Sequence, residues 1–134
     1  MLLLLAGLAV FIVALLMRLS GRASGWAELA KQYPAGDPPA GQEFARETVR
    51  VGMVRYRHSV KVILAPQGLW LSMQLKMAKF PPLFIPWGEI KGTQKTSLYA
   101  RNAVQLSIGE PSVATIVVYK QLFEAISPYL APGL

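Results

Sequence analysis

The sequence contains no cysteine and a single histidine, His58, among its 134 residues. The lack of cysteine excludes a disulfide framework and a thiolate metal site, and it agrees with a reducing compartment. One histidine without cysteine is too few ligands for a typical transition-metal site, and a catalytic histidine needs an acid or a nucleophile beside it. We therefore interpret His58, which lies among polar residues, as a surface residue of a strand.

Acidic residues are also few, with 7 acidic against 14 basic residues. They are scattered along the chain and form neither a D-x-D-x-D-G calcium loop nor the H-E-x-x-H pattern of zinc proteases. The nucleotide-binding patterns G-x-G-x-x-G and G-x-x-x-x-G-K-[ST] do not occur either. The sequence therefore predicts no catalytic residue, no metal and no cofactor, and it indicates that the protein is not an enzyme.

A long apolar run, in contrast, occupies the first 17 residues, MLLLLAGLAVFIVALLM. Arg18 and Arg22 follow this run. As a helix this run is about 25 Å long, which suffices for a bilayer core of about 30 Å when flanking side chains reach the head groups. A cleaved signal peptide would need positive charge before the run, and an interfacial helix would need a polar face. We therefore expect residues 1–19 to form a retained, single-pass transmembrane helix.

Positive charge on the C-terminal flank of such a helix holds the following chain on the cytoplasmic side. We therefore expect the N-terminus outside and the rest of the chain inside. Charged and aromatic side chains favour head-group depth, so the expected membrane-interface residues are Arg18, Arg22, Trp26 and Tyr33. Small residues recur on one side of the helix and predict a face on which another helix packs, formed by Ala6, Gly7, Val10 and Ala14.

Residues 20–42 combine a short helix with a linker. Apolar residues at helical spacing, Trp26, Leu29, Ala30 and Tyr33, follow Ser24, which is a suitable N-cap. The segment PAGDPPAG at 34–41 opposes regular structure because its three prolines lack backbone donors and its glycines add freedom. We therefore expect a spacer here and divide the chain into a transmembrane helix 1–19, a juxtamembrane helix and linker 20–42, and one domain 43–134.

From Glu43 onward, apolar and polar residues alternate in short runs, which is typical of strands with one buried face. Such runs occupy residues 48–53, 59–64, 69–74, 83–86, 103–108 and 113–119, with the proline-flanked 83–86 suited to an edge. A helix is predicted over 120–130 because its apolar residues form one stripe, Leu122, Phe123, Ile126 and Leu130. Six or seven antiparallel strands and this helix predict an α+β fold: a bent sheet or small barrel that the helix caps, as in pleckstrin-homology-like (PH-like) domains.

Three segments also resemble a family of small bacterial membrane-anchored proteins. They are WAELAKQYP at 26–34, GLWL at 68–71 and PPLFIPWGEI at 81–90, of which the last is the most specific. The resemblance implies an anchored domain of the PH-like or GRAM-like type, and it implies no known activity. Together with the charge flanking the apolar run, it predicts a location in the bacterial cytoplasmic (inner) membrane.

Basic residues provide the main candidate surface, and the formal net charge of the chain is +7. Arg55, Arg57 and Lys61 share strand parity and are expected opposite the apolar residues of the same strand. We take as candidate interaction surface Arg50, Arg55, Arg57, Lys61 and Trp87, although Trp87 is more typical of a packing residue. No RRM, HTH or KH signature is present, so nucleic acid is not an expected partner.

Two functions fit these features. The first is an accessory, interaction subunit of a larger membrane complex, for example a respiratory or photosynthetic one, with integral membrane proteins as partners. The second is a self-standing module tethered to the lipid bilayer that binds anionic lipid or a peptide. Purification in mild detergent distinguishes them, because only the first predicts a stoichiometric complex.

Overall fold

The computed structural model of this chain describes residues 6–12, 25–74 and 80–134. Residues 6–12 are helical and exposed, and they include Ala6, Gly7 and Val10 of the predicted helix-packing face. Within the described ranges no helix is long and apolar enough to span a membrane. Most of the predicted transmembrane helix 1–19, together with Ala14, Arg18 and Arg22, lies outside the described residues.

The predicted α+β architecture is confirmed: a curled antiparallel sheet, shaped as a half-barrel, and a C-terminal helix. Over the described residues the strands are β1 (Gln42–Val51), β2 (Val54–Leu64), β3 (Gly68–Met73), β4 (Leu83–Pro86), β5 (Ile90–Leu98), β6 (Arg101–Ile108) and β7 (Ala114–Tyr119). Their order in the sheet is β4-β3-β2-β1-β7-β6-β5. The helices are α1 (Trp26–Gln32) and α2 (Lys120–Ile126), with 3-10 turns at Trp87–Glu89 and Ser127–Tyr129.

The hydrophobic core lies inside the curl of the sheet. Side chains of all seven strands enter it, for example Val49 of β1, Leu83 of β4 and Ile90 of β5. Leu122 and Ile126 of α2 join the same core, so the helix closes it as the apolar stripe predicts. The helix is shorter than predicted and ends at Ile126, because the following turn, which contains Pro128, is a 3-10 turn.

The pairing between β1 and β2 is irregular where the sheet bends. Phe44 pairs with Val62 and Glu47 with Val60, but the next pair is Val49 with Tyr56, so extra residues are inserted on both strands. Inserted residues of this kind bend a strand and increase its twist. The irregularity therefore allows one pair of strands to contribute to both halves of the curled sheet.

One strand, β5, is not among the runs that the alternation of apolar residues identifies. It pairs along its length with β6 at the edge of the sheet, and most of its residues, KGTQKTS, are polar. Lysine and other polar side chains are typical of edge strands, where they discourage pairing with another chain. The alternation of apolar residues does not identify β5, because an edge strand that buries few side chains has no apolar period.

Helix α1 packs into the core of the domain. Trp26 and Leu29 are 1% and 0% exposed, and the indole Nε1 of Trp26 donates a hydrogen bond to the Pro81 carbonyl oxygen at 2.9 Å. The placement of Trp26 at the membrane interface is corrected accordingly, because its side chain is enclosed by protein. The N-cap residue is Gly25, in the left-handed conformation and without a side-chain capping bond, whereas Ser24 lies outside the described residues.

The proline-rich linker also packs on the sheet instead of standing apart as a spacer. Pro34 forms an isolated bridge with Leu83, and the Phe84 N–H donates to the Tyr33 carbonyl oxygen at 3.0 Å. The linker thus covers the free edge of β4, a common protection for an edge strand. Tyr33 is half-buried at this edge, and the segments on either side of the predicted boundary at residue 42 contact each other extensively.

Candidate functional site

Three arginines lie on the outer side of the sheet at β1 and β2: Arg50, Arg55 and Arg57. We call them the arginine face. Arg55 and Arg57 are exposed, Arg50 is half-buried, and Arg50 pairs directly with Arg55 across the two strands. Like charges directly opposite each other lower the stability of a sheet. The repulsion between these two charges opposes folding, and this makes the arginine face a candidate for binding.

A tyrosine from a distant part of the chain orders two of these arginines. The guanidinium carbons of Arg55 and Arg57 each lie 5.2 Å from the ring centroid of Tyr99. Tyr99 occupies the turn between β5 and β6 and is 41% exposed. Such cation–π contacts limit the motion of long side chains and contribute about 0.5–1 kcal/mol each at exposed sites. The sequence does not indicate this contact because the turn lies some 40 residues away from β2.

Arg50 is held more tightly than its neighbours. Its Nη2 donates to the Gln105 Oε1 at 3.4 Å, and its Nε is buried with no hydrogen-bond partner among the described residues. The outer side of β7 beneath this region is apolar, with Val117 fully buried. Arg50 therefore covers apolar surface with its stem, while Arg55 and Arg57 are the members of the arginine face that a partner can reach.

The two other residues of the predicted surface have different roles. Lys61 lies 3.0 Å from the carboxylate of Glu43, so its charge is already paired. Trp87 is 9% exposed, donates its Nε1–H to the Ala65 carbonyl oxygen at 2.9 Å, and stacks on Tyr129 with ring centroids 4.6 Å apart. Trp87 is therefore a packing residue and not part of an interaction surface.

The β1–β2 turn, which Arg55 closely follows in the chain, lies beside Gly25 at the start of the described domain. A methyl group built on Gly25 would lie 3.0 Å from the Ala114 Cβ and 3.5 Å from the amide nitrogen of Gly52, in the β1–β2 turn. Met53 in the same turn is 80% exposed, and Arg55 follows it two residues later. The end of the sheet nearest to Gly25 thus carries an exposed apolar side chain, Met53, and Arg55 is the next exposed arginine along β2.

A second candidate is a cleft of about 220 Å³ at the irregular part of β1 and β2. Charged and polar side chains line much of it, and Phe44 and Leu122 provide apolar wall. The polar lining residues are Arg46, Glu47, Thr48, His58, Arg101, Tyr119 and Gln121. None of them belongs to the surface that the sequence indicates, because they come from β1, β2, β6 and the β7–α2 junction and meet only in the folded chain.

Thr48 and Tyr119 fix the positions of two basic residues in this cleft. The buried Thr48 accepts a hydrogen bond at its Oγ1 from the His58 backbone N–H, at 3.0 Å. The Arg101 guanidinium carbon lies 4.1 Å from the ring centroid of Tyr119. His58 itself is an exposed residue of β2, as the sequence indicates. The cleft therefore has basic groups whose backbone or side chain is held in place.

Burial raises the pKa of the Glu47 carboxyl above its ordinary value, although the nearby Arg101 and His58 oppose this effect. Because the folded protein then holds this proton more tightly than the unfolded chain, the contribution of Glu47 to stability is most favourable at low pH and falls as the pH rises through the folded-state pKa. We expect Glu47→Gln to raise the free energy of unfolding at neutral pH and to flatten this fall. Urea denaturation from pH 4 to pH 8 measures it.

The matched control for this prediction is Glu124→Gln, because Glu124 is exposed on α2 away from the cleft. The control should leave the pH dependence of the unfolding free energy as it is in the unaltered chain. If Glu47→Gln has the same small effect as Glu124→Gln, then Glu47 is not desolvated in the cleft.

Comparison of the chain with protein-family models, with curated proteins and with solved structures finds no match. Two surfaces of the described residues remain as candidates. The arginine face offers exposed positive charge on the outer side of the sheet, and the cleft offers a polar site at the bend of the sheet.

Proposed function

We propose that this chain is a non-catalytic, single-pass membrane protein that acts as an accessory subunit of a larger membrane complex, for example a respiratory or photosynthetic one. In this proposal residues 1–19 span the bacterial inner membrane with the N-terminus outside, and the folded domain is PH-like and cytoplasmic. The antiparallel sheet with its C-terminal helix is consistent with that domain type. The observation that carries the proposal is the pair of exposed arginines Arg55 and Arg57, which form no ion pair with the described residues and closely follow the β1–β2 turn beside Gly25.

The composition of the arginine face favours a protein partner. Arginine and tyrosine are enriched among the residues that dominate binding energy at protein interfaces, and a guanidinium matches the geometry of a carboxylate. The ion pairs of the described residues join Lys31 to Glu28 and Lys61 to Glu43, so neither involves the arginine face. An acidic patch on an integral membrane protein would supply the missing carboxylates at the height where the chain leaves the bilayer.

A second candidate function, a module that binds anionic lipid, is favoured by Met53. A side chain that is 80% exposed at the turn beside Gly25 is placed to enter the head-group region if residues 1–19 span the membrane. Basic residues at an anionic membrane contribute about 1 kcal/mol each, and salt weakens the contribution. In this alternative Arg55 and Arg57 contact lipid phosphates and no stoichiometric protein partner exists.

The double variant Arg55→Ser/Arg57→Ser tests the proposal. We expect the full chain, purified from native membranes in mild detergent, to retain an integral membrane partner at constant stoichiometry by mass spectrometry. The double variant should retain about tenfold less partner, since interface arginines often contribute more than 1 kcal/mol each. The control Lys91→Ser/Lys95→Ser removes the same charge from two exposed positions of β5 and should retain the partner.

The outcomes separate the two functions. If the full chain is purified alone but binds vesicles with anionic lipid, and the arginine variant loses this binding while the lysine variant keeps it, the lipid-binding alternative is correct. If the arginine and lysine variants behave alike in both assays at low salt, the arginine face has no binding role and the proposal fails.

A further inference from the structure

The cleft at the bend of the sheet is separate from the arginine face and has its own chemistry. We propose that this cleft binds the phosphate group of a small, water-soluble compound, with Arg46, His58 and Arg101 as the residues that contact it. The inference goes beyond the proposed function, because it assigns a ligand to a site that partner binding does not use.

Two of the three residues have a left-handed backbone at the bend of the sheet, as Tyr99 and Ala100 do in the β5–β6 turn. Arg46 has a φ of 54° and His58 a φ of 49°, in the left-handed region that glycine adopts at least cost. The bend of the sheet requires inserted residues, but glycine would meet this requirement with less strain. Instead the chain places an arginine and a histidine at these positions, and both line the cleft.

The arrangement of charges selects an anion with several oxygens. Arg46, His58 and Arg101 come from three different strands and line the cleft together, with Glu47 as the single carboxylate among the lining residues. A phosphate group has three oxygens for donors that approach from different directions, whereas a carboxylate has two in one plane. Glu47 is half-buried, and when protonated it donates a hydrogen bond to a phosphate oxygen instead of repelling it.

The other groups around the cleft are compatible with this ligand. Lys120 lines the adjoining depression together with Arg101, Tyr119 and Gln121, and it adds a further positive charge. The Gln121 side chain is a neutral donor that also lines the cleft. The volume of about 220 Å³ is large enough for a phosphate group and part of the compound that carries it.

The position of the cleft favours a soluble compound over a lipid. Glu47 lies in the cleft, and Gly52, which is beside Gly25, follows it five residues later in the chain. Five residues of extended strand correspond to about 17 Å. If residues 1–19 span the membrane and β1 runs away from it, the cleft is therefore set back from the head groups by up to this length. The preference for a soluble compound over a lipid rests on the proposed transmembrane helix 1–19. The assignment of a phosphate site to the cleft does not depend on that helix.

Because His58 is the only histidine of the chain, its imidazole resonances report on the cleft without ambiguity. The full chain in maltoside detergent micelles, at fixed pH and without phosphate buffer, is titrated with inorganic phosphate and separately with glycerol phosphate. We expect a saturable shift of the His58 resonances with half-saturation below about 10 mM. Bilayer discs that contain phosphatidic acid should not reproduce this shift.

Variants identify the contacts. Arg46→Gly and Arg101→Gln should each raise the half-saturating concentration about tenfold, since each removes a charge-assisted hydrogen bond. Arg46→Gly also relieves the left-handed backbone, so it keeps both the fold and the His58 signal. Glu47→Gln should lower the half-saturating concentration, and the control Lys91→Gln should leave it unchanged within twofold.

The proposal is overturned if the His58 resonances show no saturable shift, or if Arg46→Gly and Arg101→Gln bind as well as Lys91→Gln does. A shift with phosphatidic acid discs but with neither soluble phosphate overturns the assignment of a soluble source. Arg55→Ser/Arg57→Ser should leave the phosphate titration unchanged, which keeps this result independent of the test of the arginine face.

Discussion

Replacing Trp26 by alanine is expected to lower the free energy of unfolding by about 3–5 kcal/mol, which is a large part of the stability of a small domain. Trp26 is 1% exposed, and its ring lies edge-on to Tyr56 at 5.6 Å and to Phe80 at 5.9 Å. The variant loses these contacts and the hydrogen bond to the Pro81 carbonyl oxygen at 2.9 Å, which leaves a cavity under α1. Urea denaturation of the full chain, followed by circular dichroism, measures the change.

Lys31→Ala provides the control for this prediction, because Lys31 lies on the exposed side of the same helix. It should change the unfolding free energy by less than about 0.5 kcal/mol. Trp26→Phe should give an intermediate loss, since it keeps a ring in the core and removes only the indole donor. If Trp26→Ala and Lys31→Ala unfold alike, α1 is not part of the cooperative domain, and a domain that begins at residue 43 describes the chain better.

Replacing Ile126 by alanine is expected to lower the unfolding free energy by about 2–5 kcal/mol. Ile126 is fully buried, and with Leu122 it joins α2 to the core inside the curled sheet. The loss is close to the whole stability of a marginal domain, so the variant should show a strongly lowered thermal midpoint. Differential scanning calorimetry of the full chain measures this midpoint.

Glu124→Ala is the matched variant on the exposed side of α2 and keeps a good helix former at the position. It should unfold within about 0.5 kcal/mol of the unaltered chain. Equal thermal midpoints for Ile126→Ala and Glu124→Ala would mean that α2 does not close the core, and this would contradict the architecture described above. Phe123, which the sequence places in the same stripe, is only half-buried, so its replacement should have a smaller effect than that of Ile126.

The segments that bury a regular apolar face are those that the sequence predicts well. In β3, Leu69, Leu71 and Met73 point inward as their alternation indicates, and in β6 Val104, Leu106 and Ile108 do the same. The period of two is visible there because one side of the strand faces the core and the other does not. Met53 breaks the pattern, since the strand ends at Val51 and leaves it exposed in the turn.

The candidate sites were predicted only in part. Arg55 and Arg57 lie on the outer side of the sheet, as their parity predicts. Tyr99, which orders them, follows β5, a strand that the alternation of apolar residues does not identify. Lys61 and Trp87 have the side-chain types of an interface, yet an ion pair and a stacked ring engage them within the domain. A polar or aromatic side chain is available for binding only if its neighbours in the fold leave it unoccupied. These neighbours come from distant parts of the chain, so a local sequence pattern does not reveal them.

The sequence by itself determined the α+β class, the inward faces of most strands and the apolar stripe of α2, because each follows from a local period of burial. Only the tertiary structure decided that α1 and the proline-rich linker belong to the sheet, and that residues 46, 47, 58 and 101 share one cleft. The physical reason is the separation along the chain of the residues that interact. A helical or strand period involves neighbouring residues only. The enclosure of Trp26 and the cleft depend on segments about 50 residues apart, which meet when the sheet curls.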